Sequence, residues 1–170
     1  MNAATETILK VRALLEDVTP LKSDCGRLCG ALCCKDDESE EGESGMLLFP
    51  GEKELYAHQG AWMEIVDSAL EFDGRSVPLL ICRLPCPRRL RPLSCRIFPL
   101  FPYIGEDGAI HPAMDVRARP LCPLVEYGEQ GLDPSFVSSV QKAGELLLQD
   151  ETQKAFLQLL CAHLKEYLWL

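Results

Sequence analysis

Hydrophobic periodicity predicts a helix at the start of the chain. Between residues 4 and 18 the apolar residues recur at steps of three and four, as on one face of a helix. This stripe consists of Ile8, Val11, Leu15 and Val18. Thr5 is the predicted N-cap and Pro20 ends the helix. We therefore expect an N-terminal helix that packs on a core.

The same periodicity predicts helices after residue 130. Asp133 is a suitable N-cap, with Pro134 at the first helical position. The first stripe consists of Phe136, Val140, Ala143 and Leu147, and a second, from about residue 150 to 169, of Phe156, Leu160, Leu164 and Tyr167. The two stretches break at Gly144 or at Gln149-Asp150, or form one continuous helix.

Short apolar runs in the middle of the chain predict strands. Residues 46–49 and 77–82 are two such runs, and residues 100–104 and 109–113 flank a Gly-Glu-Asp-Gly turn typical of a hairpin. Residues 52–70 are predicted to form a further helix, either continuous or interrupted at Gly60.

Two other segments lack a regular pattern. Residues 85–102 contain five prolines, which favours an irregular loop held in place by other interactions. Residues 36–43 carry six acidic side chains and indicate a solvated loop.

The pattern as a whole predicts a small single α+β domain over residues 1–170. Its parts are an N-terminal helix (1–21), a cysteine-rich core with short antiparallel strands (22–125) and a C-terminal helical region (130–170).

Composition and charge narrow the class of function. The chain has 170 residues, 47% of them hydrophobic and 25% charged, as in an ordinary globular domain. Its net charge of −9 argues against broad electrostatic binding of nucleic acid or of anionic membranes. No apolar stretch is long enough to span a bilayer, and charged residues interrupt the apolar pattern of the first 20 positions. We therefore expect a cytoplasmic protein that binds neither nucleic acid nor membrane.

Cysteine carries the strongest chemical signal. The chain has nine cysteines, of which eight lie between residues 25 and 122 at close spacings. These eight are Cys25, Cys29, Cys33, Cys34, Cys82, Cys86, Cys95 and Cys122. In a reducing compartment, clustered thiols indicate metal ligands, and soft thiolates select zinc or an iron–sulfur centre. Eight thiolates suffice for two four-cysteine centres or for one larger cluster, and a helix over residues 25–34 would place Cys25, Cys29 and Cys33 on one face.

Arginine is concentrated near these cysteines. Residues 75–119 contain eight arginines, no lysine and three acids. Arg88, Arg91 and Arg96 stand close in sequence to Cys86 and Cys95, where they can offset the negative charge of a thiolate centre. The alternatives are an arginine-lined site for an anionic substrate, and arginines that only solvate the loop or pair with the acids of residues 36–43.

Other roles for the cysteines stay open at this point. Buried cysteine is a small hydrophobe, the interpretation we favour for Cys161. Disulfides would need an export signal, and a redox switch could use Cys33-Cys34 or Cys82 with Cys86. His111 is a remote candidate ligand. The common nucleophile and nucleotide motifs are absent from the sequence.

The cysteine pattern resembles a known family. The segment from Cys86 to Pro99 contains Arg91-Pro92, Cys95-Arg96 and Phe98-Pro99, and follows the cluster at residues 25–34. It is similar to the YkgJ-type cysteine-cluster family, described as a zinc- or iron-chelating domain, whose pattern is a C-x2-C-x2-C-C knot followed by C…RP…CR-x-[FY]-P. Spacers of three residues stand here where the family has two.

The resemblance covers about residues 22–125. Cys82 matches an additional upstream cysteine of that family, and the resemblance implies chelation of zinc or iron without implying an activity. A similar cluster occurs in the longer flagellin lysine methylases, but the likeness to them is limited to the cysteines.

These observations predict a metal-binding protein that holds zinc or an iron–sulfur centre through cysteine thiolates, in a structural role. The alternative is a redox or group-transfer enzyme with an iron–sulfur centre and an arginine-lined site for a small anionic substrate. A protein partner is expected if the role is structural.

Overall fold

The computed structural model describes residues 2–34, 45–57, 60, 62–83 and 88–167. Within these residues the chain forms five α-helices and five antiparallel strands in two small sheets, so the predicted α+β class is confirmed. The helices are α1 (Ala3–Leu14), α2 (Gly26–Cys29), α3 (Leu93–Ile97), α4 (Pro134–Leu147) and α5 (Glu151–Glu166). The strands are β1 (Met46–Leu47), β2 (Met63–Phe72), β3 (Arg75–Cys82), β4 (Leu100–Ile104) and β5 (Ile110–Met114). The acidic loop predicted over residues 36–43 lies outside the described residues.

The N-terminal helix forms as predicted, but with a different cap. Asn2, not Thr5, caps α1: its side chain accepts a hydrogen bond from the Thr5 amide at 2.8 Å. The Thr5 hydroxyl lies within hydrogen-bond distance of the Asn2 side-chain oxygen, at 2.9 Å, and of the Gly51 carbonyl, at 3.1 Å. The helix ends at Leu14, earlier than the stripe suggested, while Ile8, Val11 and Leu15 are buried as expected.

The C-terminal prediction is confirmed in most details. Asp133 caps α4 through the Ser135 amide, with a proline at the start of the helix, and Asp150 caps α5 through the Gln153 amide. The break therefore falls at Gln149-Asp150. Tyr167, the last residue of the predicted stripe, is exposed.

Gly144 has a packing role. A Cβ at this position would lie 2.8 Å from Ile110 Cγ2 and 2.8 Å from Pro102 Cβ, so the missing side chain lets α4 approach the β4–β5 hairpin. Strands β4 and β5 pair in the predicted region, with Leu100 opposite Met114 and Ile104 opposite Ile110.

The helix predicted over residues 52–70 is wrong. Residues Lys53–Tyr56 form one 3-10 turn, and β2 follows, paired with β3 across the Asp73-Gly74 turn. Asp73 and Gly74 both have positive φ, as a tight hairpin turn requires. Hairpin pairing with β3, the next strand along the chain, satisfies the backbone of β2 and overrode the helical pattern in this segment. The strand predicted at residues 77–82 is confirmed within β3.

The main core joins the helices to both sheets. Helices α1 and α5 pack with α4, and α4 lies against β4 and β5. Phe156 of α5 makes edge-to-face contacts with Phe49 and Phe72, at centroid distances of 5.2 and 5.1 Å. Among the described residues, no helix combines the length and the apolar character needed to cross a membrane.

Candidate metal centre

Cysteines from three separate stretches of the chain line one cavity. Its volume is about 60 Å³, and its thiol-bearing residues are Cys25, Cys29, Cys33, Cys95 and Cys122. Apolar side chains, among them Leu15 and Leu124, form much of the remaining wall. Because the space for one water needs roughly 10–15 Å³, the cavity has room for a small inorganic group.

The first stretch folds around two left-handed residues. Cys25 precedes α2 and Cys29 ends it, because Gly30 adopts φ 62° and Ala31 φ 57°. Cys33 and Cys34 then follow on a 3-10 turn, Leu32–Cys34. The chain therefore does not form one continuous helix over residues 25–34, the arrangement that would have placed these cysteines on one helix face. Cys25, Cys29 and Cys33 nevertheless line the same cavity.

Helix α3 places Cys95 in the cavity wall. The Glu52 carboxylate accepts hydrogen bonds from the Leu93 amide at 2.7 Å and the Phe49 amide at 3.2 Å. The Ser94 hydroxyl donates to the Leu47 carbonyl at 2.6 Å, which ties α3 to β1. These contacts hold the start of α3 and so fix the direction of Cys95.

A run of turns brings Cys122 to the cavity. The Asp115 amide donates to the Pro99 carbonyl at 2.8 Å, and the Asp115 carboxylate caps the following turn. The Cys122 amide then donates to the Ala118 carbonyl at 2.7 Å. Two tight turns thus carry the chain from the end of β5 to the cavity.

The thiols influence one another. Burial raises the pKa of Cys25, and negative charges on Asp24, Cys122 and Cys29 would raise it further. Burial also raises the pKa of Cys122, with a smaller contribution from Cys29. These thiols are therefore protonated at neutral pH, and a metal ion would displace their protons on binding.

Cys33 and Cys34 form a neighbouring pair. A hydrogen bond with the Cys34 side chain raises the pKa of Cys33, as do burial and the nearby thiols of Cys34, Cys95 and Cys25. Cys33 is nevertheless exposed as a residue, and so is Cys34. Cys33 lines the cavity, whereas Cys34 is not among its lining residues.

The predicted arginines frame the cavity, and two of them bind the main chain. Arg88, Arg91 and Arg96 all line it. Arg96 is only 8% exposed, and its guanidinium donates to the carbonyls of Arg12, Arg89 and Arg91 and to the Glu16 carboxylate.

Arg88 donates to the Val18 carbonyl at 2.6 Å and to the Glu16 carbonyl at 3.4 Å. Arg96 and Arg88 thus join the end of α1 to the segment that carries Cys95. Neutralisation of thiolate charge by these arginines stays a prediction.

A buried acidic group behind the cavity was missed at the sequence level. Glu52 is fully buried, and burial raises its pKa to about 6, against the lowering effects of the Leu93 amide and Arg12. Arg12 lies 3.7 Å from the carboxylate and stacks over Tyr56, whose hydroxyl donates to the Leu90 carbonyl. The sequence offered no signal for this network, because Glu52 stands in a segment we predicted as helix.

The other cysteines and the histidine considered at the start do not line the cavity within the described part of the chain. Cys82, at the end of β3, packs on the small cluster of Leu48, Tyr56 and Leu80. Cys86 lies outside the described residues. Cys161 is buried, as predicted, and its sulfur accepts from the Ile104 amide at 3.5 Å. His111 bonds to Asp107 at an exposed position.

The thiols border the cavity without converging on a point. Over the residues described, no three histidine, cysteine or acidic side chains stand in an arrangement that could hold a metal ion. Cys25, Cys29, Cys33, Cys122 and Cys161 are thiols and form no disulfide.

Comparison of the chain with family models, curated proteins and solved structures found no match. The resemblance to the YkgJ-type family is therefore untested and stays a prediction.

Proposed function

We propose that this chain is a metal-binding protein whose cysteine cavity takes zinc or iron, the latter in an iron–sulfur centre. The observation that carries the proposal is the meeting of five cysteines from three stretches of the chain in one cavity. Cysteines that served only as small hydrophobes would have no reason to share one wall, whereas soft metal sites require several thiols together. The YkgJ-like pattern agrees with this function.

The donor set fits a soft cation. Cys25, Cys29, Cys33, Cys95 and Cys122 provide more than the four thiolates of a tetrahedral zinc site or a cubane cluster. The Cys34 side chain is hydrogen-bonded to Cys33 and provides a further thiol next to it. The thiols must move closer together to share one ion. Binding would therefore be coupled to a local rearrangement of the chain.

A bound metal would strengthen the least regular part of the fold. The three cysteine stretches consist of one-turn helices and 3-10 turns, with little secondary structure to hold them together. A metal that joins Cys25 to Cys95 and Cys122 would cross-link these stretches. Metal binding of this kind adds directly to the free energy of folding, which is the structural role we propose.

The test is elemental analysis of the full chain purified under anaerobic conditions, with a visible spectrum. We expect zinc, or iron with acid-labile sulfide, in stoichiometric amount. Cys29→Ser and Cys122→Ser should each lower the bound metal by about one equivalent, because a closed site needs all of its thiolates.

Cys161→Ser is the matched control, since this cysteine is buried but lies away from the cavity. The control should keep the metal content of the unmodified chain. Equal metal content in all three variants, or no metal in the unmodified chain even after zinc is added, would contradict the proposal.

A further inference from the structure

A second groove lies where α1 meets the turn that precedes α3. Its volume is about 280 Å³, close to the lower end for a small-molecule pocket. Three arginines belong to its lining, Arg12, Arg89 and Arg96, together with apolar residues such as Leu9 and Leu90. None of the cavity cysteines lines this groove, and of the described residues only Arg96 lines both spaces.

Two of the three arginines are buried next to each other. Arg12 is 9% exposed and Arg96 is 8% exposed. Both donate to the Arg89 carbonyl, Arg12 at 3.2 Å and Arg96 at 2.7 Å. Because they share this acceptor, two positive charges lie close together with little water to screen them, which is unfavourable unless negative charge offsets it.

Negative charge compensates Arg12 only in part. Its guanidinium lies 3.7 Å from the Glu52 carboxylate, whose oxygens already accept from two backbone amides. Its hydrogen bond to the Tyr56 hydroxyl is long, at 3.4 Å, and the Arg12 Nε has no acceptor within the part of the chain that the structure describes. Arg96, in contrast, binds the Glu16 carboxylate. Arg12 therefore keeps unused donors beside the groove.

Arg89 adds a third positive charge to the groove. Its side chain is exposed and makes no hydrogen bond or ion pair with any residue that the structure describes. The lining thus contains three guanidinium groups and one carboxylate, that of Glu16, although the whole chain has a net charge of −9. Guanidinium forks match the oxygens of a phosphate group, so the groove has suitable donors for one.

We propose that this groove binds a phosphate group, which accepts hydrogen bonds from Arg12 and Arg89. The phosphate belongs either to the free ion or to a small phosphate ester. Its negative charge offsets the excess positive charge of the neighbouring arginines. Leu9, which is 40% exposed, and Leu90 provide an apolar surface for the organic part of an ester. The proposal does not depend on metal binding at the cysteine cavity.

The first measurement is an NMR titration of the isotope-labelled full chain with potassium phosphate at constant ionic strength. The backbone amides of Arg12, Arg89 and Leu90 should shift along one common saturating curve, whereas the amide of Val140, buried in α4, should not shift. Acetate should bind about fivefold more weakly than phosphate, because it carries less charge and fewer acceptor oxygens.

Substitutions of exposed residues test the charges in the groove. Arg89→Gln should weaken phosphate binding about tenfold, because one charge-assisted interaction is lost. Arg119→Gln is the matched control, since Arg119 is exposed and lies outside the lining of the groove, and it should change the affinity by less than about twofold. Glu16→Gln should strengthen binding about threefold, because it removes a negative charge bound to Arg96.

Phenyl phosphate distinguishes the two sources of the phosphate group. Tighter binding of phenyl phosphate than of inorganic phosphate identifies an ester, and equal or weaker binding identifies the free ion. Three results overturn the proposal: no saturable shift with either compound, an acetate affinity equal to that of phosphate, or equal losses of affinity in Arg89→Gln and Arg119→Gln. Weaker binding by Glu16→Gln would do the same. The absence of bound metal in the test of the proposed function would leave these expectations unchanged.

Discussion

Replacement of Glu52 by glutamine should change how stability depends on pH. The Glu52 carboxyl is completely buried, and burial raises its pKa from 4.5 to about 6. A group with a raised folded-state pKa holds its proton more tightly in the folded chain. Its contribution to stability is therefore complete below pH 4.5 and is lost as the pH rises through 6. Glutamine does not titrate, so the Glu52→Gln variant does not lose stability at this position as the pH rises.

The magnitude follows from the two pKa values. A difference of one pKa unit corresponds to about 1.4 kcal/mol, so the rise at Glu52 is worth about 2 kcal/mol between pH 4 and pH 7.5. Glu52→Gln also disturbs the bonds from the Leu93 and Phe49 amides, and the pH-dependent part of their contribution is already contained in the pKa of Glu52. The stability advantage of the unmodified chain over the variant should therefore shrink by about 2 kcal/mol as the pH rises.

The assay is urea unfolding at pH 4, 5.5 and 7.5, followed by far-UV circular dichroism in the presence of EDTA and a reductant. Glu54→Gln is the matched control, because Glu54 lies exposed in the 3-10 turn that follows Glu52. A Glu52→Gln difference that varies by less than about 0.5 kcal/mol over this range would refute the reasoning, since it lies within the error of the extrapolation.

Three further substitutions test contacts that join separate parts of the chain. Arg96→Lys should cost about 3 kcal/mol, because lysine cannot reach all the groups that the buried guanidinium binds, whereas Arg88→Lys at its exposed position should cost less than about 1 kcal/mol. Gly51→Ala should cost at least about 2 kcal/mol, because φ is +80° and a Cβ would lie 2.7 Å from the Thr5 amide nitrogen. Urea midpoints at pH 7.5 measure the stability of all three variants. Equal midpoints for the two arginine variants would contradict the conclusion that the buried hydrogen bonds of Arg96 contribute more to stability than the exposed ones of Arg88.

The elements that could be predicted are those with a local cause. Residues close in sequence define the apolar stripes of α1, α4 and α5 and the turn between β4 and β5. Asp133 and Pro134 marked the start of α4 by chemistry that needs no distant partner. These parts of the fold followed from periodicity and capping alone.

The parts that could not be predicted depend on distant partners. Strand β2 was expected to be helical, and its pairing with β3 decided otherwise. Asn2 caps α1, and the Thr5 hydroxyl contacts the Gly51 carbonyl, 46 positions away. For β2, strand pairing outweighed a local preference of a few tenths of a kcal/mol to about 1 kcal/mol.

The candidate site likewise has features that the sequence predicted and features that depend on the fold. Cysteine number and spacing, together with the arginine-rich segment, pointed to thiolate chemistry before any fold was known. Sequence alone could not place Cys95 and Cys122 beside Cys25, because tight turns and a buried carboxylate bring them there. The sequence also could not show that Cys82 packs away from the cavity cysteines, or that Arg96 binds main-chain carbonyls.

The sequence by itself determined the helices at both ends of the chain, the β4–β5 hairpin and the close spacing of the cysteines, because periodicity, capping and spacing are properties of residues near one another in the chain. Only the tertiary structure decided which thiols meet, which arginines bind the main chain and which carboxylate is buried. Those outcomes depend on the burial and hydrogen bonding of groups far apart in the chain, and no local pattern records them.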